Sequence, residues 1–140
     1  MKTILVIDAQ GGGVGKQIIS LLKKESADLH VIAVGSNSVA TNAMLKAGAD
    51  EAATGENSVI TVARKADVIV GPVGIVIADS MLGEITPAMA AAVGASNARR
   101  VLMPFSNCDS SIVGIEHTGT SALIRQAVEQ TLRIVNETVL

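Results

Sequence analysis

Ile4-Leu5-Val6-Ile7-Asp8-Ala9-Gln10-Gly11-Gly12-Gly13-Val14-Gly15-Lys16 is the stretch whose reading decides the fold. A short aliphatic run ends on a carboxylate, passes into a glycine-rich turn and opens a segment in which Val14, Ile18, Leu21 and Leu22 recur at helical spacing, with Lys16, Ser20, Lys23 and Lys24 outside that face. This is a strand, turn and helix unit. Glycine has no Cβ, so such a turn can be sharp and its N–H groups can approach an anion at the positive end of the helix. A phosphate or pyrophosphate is the guest this arrangement suits.

The pattern repeats along the chain. Aliphatic runs from about Thr3 to Asp8, His30 to Gly35, Glu51 to Ala53, Asp67 to Gly71 and Arg99 to Pro104 alternate with amphipathic segments. Ser38 is a candidate cap for a helix carrying Val39, Ala43, Met44 and Ala47 and ending at Gly48. Thr54-Gly55-Glu56-Asn57 precedes a helix burying Val59, Val62, Ala63 and Ala66. Thr86-Pro87 starts another, because a capping threonine followed by proline at the first helical position is a helix-start signal. A last helix from about Thr120 to Thr138 buries Ile124, Ala127, Val128, Leu132 and Val135. The run from Pro72 to Gly83 fits strand and buried helix equally.

Five strands joined by right-handed crossover helices imply an α/β fold, a doubly wound three-layer parallel sheet of the Rossmann-like kind with strand order 3-2-1-4-5, spanning residues 1–140 as one domain. Its switch point lies between the first and fourth strands, where Gly11 to Gly15 and Gly71-Pro72-Val73-Gly74 should face one another. The fifth strand brings Ser106, Asn107, Cys108 and Asp109 to the same rim.

Composition supports this architecture. Hydrophobic residues make up 49% of the 140 residues and charged ones 17%, with Phe105 the sole aromatic, so the core must be aliphatic, as in a buried parallel sheet. The same excess points to a homo-oligomer, a dimer being favoured, since soluble monomers rarely leave large apolar patches open. A net charge of -2, with no basic block and no stacking aromatics, argues against nucleic acid as a partner. Cys108 is the one cysteine, which leaves no internal disulfide and no multi-cysteine metal site. The longest uncharged apolar stretch, Val68 to Ala78, is too short to span a bilayer and no leader peptide is evident, so a cytoplasmic setting without membrane attachment is expected.

The glycine turn departs from each phosphate-binding template it approaches. As G-x-G-x-x-G it has Gly11 and Gly13, but Lys16 at the third glycine. As the turn of short-chain dehydrogenases it matches at Gly13 and Gly15, with Ala9 in place of the first glycine. As a P-loop it matches at Gly15-Lys16, but Gln17 replaces the hydroxyl that would hold Mg²⁺, which argues against NTP hydrolysis and any metal. A dinucleotide site also expects a carboxylate near the end of the second strand to bond the ribose hydroxyls, and the chain there reads Gly35-Ser36-Asn37-Ser38. Ser36 and Asn37 suit a 2′-phosphate or another nucleotide, though no arginine stands close by.

Three segments in order, Asp8 to Lys16, Ala47-Gly-Ala-Asp-Glu-Ala-Ala-Thr-Gly-Glu-Asn57 and Gly71-Pro-Val-Gly-Ile-Val-Ile-Ala-Asp79, resemble a family of small bacterial proteins classed as a domain of unknown function. The resemblance covers nearly the whole chain. It implies a compact Rossmann-like protein and brings no reaction with it.

The leading expectation is a protein that binds a phosphate-bearing small molecule, a nucleotide or an NAD(P)-type dinucleotide, through Asp8, Gln10, Gly11, Gly12, Gly13, Val14, Gly15, Lys16, Ser36, Asn37, Gly71, Pro72, Val73 and Gly74. Catalysis is left open. One alternative is a non-catalytic sensor or assembly subunit acting through partner contacts. Another is a thiol-dependent enzyme in which Cys108, beside Asn107 and Asp109 and with His117 downstream, is the nucleophile, or in which Asp8 takes part; inert packing is the commoner role of a lone cysteine. Asp8 can also hold a ligand hydroxyl. Glu56 and Asn57 sit on the same sheet edge, with helix capping as their plainer role, and Asp79 is either paired on an exposed face or functional.

Overall fold

A computed structural model of the chain describes residues 1–105, 110–114 and 118–137. Strand β1 (Thr3–Asp8) is followed by helix α1 (Gly13–Glu25), β2 (His30–Gly35), α2 (Ser38–Lys46), β3 (Glu51–Thr54), α3 (Glu56–Ala63) and β4 (Val68–Pro72). A short 3₁₀ turn (Val73–Val76) then leads through an irregular loop to α4 (Pro87–Ala95), β5 (Arg99–Met103) and α5 (Thr120–Glu137). The ambiguous Pro72 to Gly83 stretch therefore resolves into the last residue of a strand, one tight turn and a loop.

All neighbouring strands pair in parallel, in the order β3-β2-β1-β4-β5. β1 is central, and its residues alternate between two cores. Ile4 and Val6 face Ile18, Ile19 and Leu22 of α1, Met44 of α2 and Ile124 and Val128 of α5. Leu5 and Ile7 face Val59 and Val62 of α3, Met89 and Val93 of α4, and Ile75 and Ile85. Both faces of the sheet are covered, which is why its strands read as unbroken aliphatic runs.

Several local expectations shift by a residue or a face. Asn37, not Ser38, caps α2, its side-chain oxygen accepting from the Ala40 N–H at 2.9 Å. That start sets the helix phase so that Ala40 and Met44 are buried, while Val39 is 65% exposed. In α5 the buried stripe runs through Thr131 and Ile134, with Leu132 and Val135 only packed at its margin. Thr131 is tolerated there because its hydroxyl donates back to the Ala127 carbonyl at 2.8 Å. The Thr86-Pro87 signal holds: the Thr86 hydroxyl accepts from the Met89 N–H at 3.1 Å, and Pro87 opens α4.

The β1–α1 junction is tightly packed. Gly12 has a φ of +73°, and a Cβ on it would lie 2.8 Å from the Ala40 Cα. A Cβ on Gly15 would lie 2.5 Å from the Met44 sulfur and 2.9 Å from the Asp8 Cβ. These two glycines let α1 and α2 close onto the end of β1. Gly15→Ala should therefore destabilise the protein by about 1–3 kcal/mol through overpacking. Chemical denaturation measures this, and an unchanged midpoint would show that Met44 swings clear at no cost.

Candidate functional site

The carboxyl end of β1 carries Asp8, which is 4% exposed. Its Oδ2 accepts the Gly15 N–H at 2.6 Å and its Oδ1 accepts the Ala9 N–H at 2.8 Å. Burial pushes its pKa up, while the N–H groups of Gly15, Ala9 and Val14 pull the other way and the charge of Glu84 adds to the rise. Asp8 is thus engaged by its own chain. It staples the first turn of α1 to β1, and the Gly15 N–H that a bound phosphate would use deeper in the turn is already taken.

The outer half of the turn is different. Gly11 and Gly13 are exposed, neither has a positive φ, and a Cβ on either would meet no atom within 4 Å. Among the described residues no acceptor takes their N–H groups, whereas the Gly12 N–H bonds the Ala9 carbonyl at 3.0 Å. Lys16, exposed in the first turn of α1, forms no ion pair among the described residues. Two unclaimed donors, open space and a cation thus share one rim.

Sequence reasoning passed over Glu84. Its Oε1 accepts from the Gln10 N–H at 2.8 Å, the Ser36 hydroxyl at 2.6 Å and the Asn37 amide at 2.7 Å. Asn37 also donates to the Gln10 carbonyl at 3.0 Å. Burial alone would raise the Glu84 pKa, but the bonds from Ser36, Gln10 and Asn37 outweigh it and hold the carboxyl below its ordinary value. Ser36 and Asn37, expected to meet a ligand directly, are therefore bonded to a carboxylate that arrives from between β4 and α4. The signal in the chain was weak: a Gly83-Glu84 pair after an apolar run, 47 to 74 residues from its partners.

The loop that delivers Glu84 is strained. Asp79, Met81 and Leu82 have φ values of 62°, 55° and 59°, and Gly83 follows at 86°. For residues with a Cβ this left-handed backbone costs roughly 1–2 kcal/mol each. The surroundings enforce it: the Asp79 N–H bonds the Ile85 carbonyl at 2.7 Å, the Gly83 N–H bonds the Asp79 carbonyl at 3.1 Å, and the Ser80 hydroxyl donates to the Gly74 carbonyl. Ile85 is fully buried and anchors the loop, while Leu82 at its tip is 97% exposed. Gln10, across the Glu84 bridge, is also left-handed, with a φ of 53°.

The remaining expected residues divide. Gly71, Pro72 and Gly74 are buried and Val73 is half-buried. A Cβ on Gly71 would lie 2.5 Å from the Ile7 carbonyl oxygen, so β4 and β1 close on each other at the switch point. Glu56 accepts the Thr86 hydroxyl at 2.6 Å, which ties the start of α3 to the start of α4. Asp79 serves the loop through its backbone. Cys108, Ser106, Asn107, Asp109 and His117 lie outside the described residues. Among the described residues no group of His, Cys, Asp and Glu side chains is arranged to hold a metal, and no helix is long and apolar enough to cross a membrane. A groove of about 340 Å³, lined in part by Val101, Met103, Leu123 and Arg133, lies between β5 and α5, away from the glycine turn.

Comparison with known proteins agrees with the fold. Residues 3–136 match the family model described as a domain of unknown function (DUF3842). A crystal structure of AibC is similar at a TM-score of 0.51 and 22% identity over 94% of this chain, which spans only 42% of that one; the likeness is one of fold. A dodecameric FMN-dependent UbiX-like decarboxylase from Escherichia coli O157:H7 aligns over 100% of this chain and 96% of its own, at 15% identity and a TM-score of 0.49. No curated protein matches the sequence.

The two carboxylates at this edge give opposite pH dependences. Asp8, raised, favours the folded state at low pH, and that contribution is lost as pH rises through its folded value. Glu84, lowered, stabilises the fold above its ordinary value of 4.5, and that contribution is lost as pH falls through its folded value. The stability difference between wild type and Glu84→Gln should therefore be largest near neutrality and shrink below pH 4.5. Denaturation at several pH values measures it. A difference that stays constant down to pH 3 would mean that the Glu84 charge contributes nothing.

Proposed function

The chain belongs to the family described as a domain of unknown function (DUF3842), and we propose that it binds a phosphate-bearing nucleotide at the carboxyl edge of its sheet. The observation that carries this reading is the pair Gly11 and Gly13. The other glycines of the turn are demanded by packing or by φ, whereas these two leave free N–H donors and unfilled space at the N-terminus of a 13-residue helix. Lys16 supplies a cation beside them. The turn Gly71-Pro72-Val73-Gly74, buried except for the half-buried Val73, ends β4 beside β1, and Ser36 and Asn37 border the β2 side through Glu84. A dinucleotide of the NAD(P) type is the finer form of this proposal. No reaction is assigned, and Asp8, fully engaged by backbone N–H groups, has a positioning role.

A second reading rests on a separate observation. Val39, Leu45, Leu82 and Val113 are large apolar side chains, 65%, 47%, 97% and 95% exposed. Their exposure supports contact with another copy of the chain, a homo-oligomer in solution, which sedimentation velocity tests; a concentration-independent monomer would remove it.

For the nucleotide, a thermal-shift series with NAD, NADP, FAD, S-adenosylmethionine, ATP, GTP and inorganic phosphates is the direct test. A ligand at about 100 times its dissociation constant adds roughly 2.7 kcal/mol, a shift on the order of 10 °C for a chain of this size. Gly13→Val should leave the unliganded midpoint nearly unchanged, because a Cβ there meets nothing, and should abolish the shift. A ligand shift that survives in Gly13→Val would place binding elsewhere.

A further inference from the structure

We propose that Glu84 reads the sugar of that nucleotide: the β2 edge accepts a ribose with free vicinal hydroxyls and rejects one phosphorylated there. The inference rests on the glycine-turn reading above and adds a specificity to it. In a parallel sheet of this order the turn after the first strand takes the phosphates, and a carboxylate at the end of the second strand accepts the ribose hydroxyls. The segment Gly35-Ser36-Asn37-Ser38 has no such carboxylate. The fold supplies one from elsewhere, since Glu84 stands against Ser36, Asn37 and Gln10 together.

The way Glu84 is held suits that task. All three donors converge on Oε1, so Oε2 has no partner among the described residues and keeps its lone pairs for an incoming hydroxyl. Ser36 and Asn37 fix the carboxylate rather than compete with it for the ligand. The Gln10 N–H links it to the glycine turn, so phosphate and sugar positions are coupled through one residue. Backbone strain at Asp79, Met81 and Leu82 is the kind that persists where a side chain must be placed for function, and Glu84 is the polar side chain this loop delivers. A fixed negative charge at this point repels a second phosphate, and among the described residues no arginine pairs with it. On this reading Ser36 and Asn37 serve Glu84, and the β2 edge favours free hydroxyls over a 2′-phosphate.

Calorimetric titration of the full chain with pyrophosphate, ADP-ribose and 2′-phospho-ADP-ribose tests this, in wild type and in Glu84→Gln. Glutamine keeps an acceptor oxygen for the three donors and removes the charge. Wild type should bind ADP-ribose about tenfold or more tighter than its 2′-phosphate, and Glu84→Gln should bring the two within about threefold, a change of preference larger than any change in pyrophosphate affinity. Equal loss of all three probes in Glu84→Gln would show a purely structural residue and overturn the proposal. So would equal wild-type affinities for the two ADP-ribose forms, a result that needs no variant. Pyrophosphate binding without any gain for ADP-ribose removes the Glu84 assignment alone, whereas failure of all three probes to bind wild type removes the glycine-turn reading and this inference with it.

Discussion

The bonds from the Gly15 and Ala9 N–H groups to the buried Asp8 carboxylate are the constraint from which the rest of this edge follows. A carboxylate taken out of water must find donors, and the orphan N–H groups at the start of α1 are the nearest ones. Meeting them fixes the angle at which α1 leaves β1 and brings Gly15 within reach of Met44 on α2. It also divides the glycine turn. The inner N–H groups belong to Asp8, whereas those of Gly11 and Gly13 at the outer rim have no acceptor among the described residues. A glycine-rich loop of this kind is therefore not uniformly a phosphate cradle: Gly12 and Gly15 serve the fold, and Gly11 and Gly13 are the positions the fold does not need.

Glu84 extends that edge across the sheet. Its carboxylate joins the turn after β1, the end of β2 and the loop after β4, three segments remote in the chain. The charge-assisted bonds help to offset the backbone strain of the loop that carries it, and the burial of Ile85 anchors the loop from below. Local strain and long-range bonding thus depend on each other. Relaxing the loop would withdraw the acceptor from Ser36 and Asn37.

The fold was legible because its signals are local and redundant. Each strand is an aliphatic run, each crossover carries helical periodicity, and Thr86-Pro87 marks a helix start by backbone chemistry alone. Errors arose where phase mattered. Spacing groups Val39 with Ala43, Met44 and Ala47, yet the Asn37 cap turns it outward; Thr131 is not among the residues that spacing buries, yet its hydroxyl is satisfied within its own helix. The candidate site was half legible. Asp8, the glycines and Lys16 are contiguous, so their proximity follows from the chain. Glu84 is not contiguous with its partners, and no pattern within the segment from Pro72 to Gly83 revealed where its loop would turn.

By itself the sequence determined the parallel sheet and its strand order, because periodicity, caps and right-handed crossovers act over a few residues or along one strand-helix-strand unit. Tertiary structure alone decided which glycines are free, that Asp8 is spent on backbone N–H groups, and that a carboxylate stands beside Ser36 and Asn37. Those outcomes depend on close approach between segments distant in the chain, and distances of that kind are set by how whole elements pack.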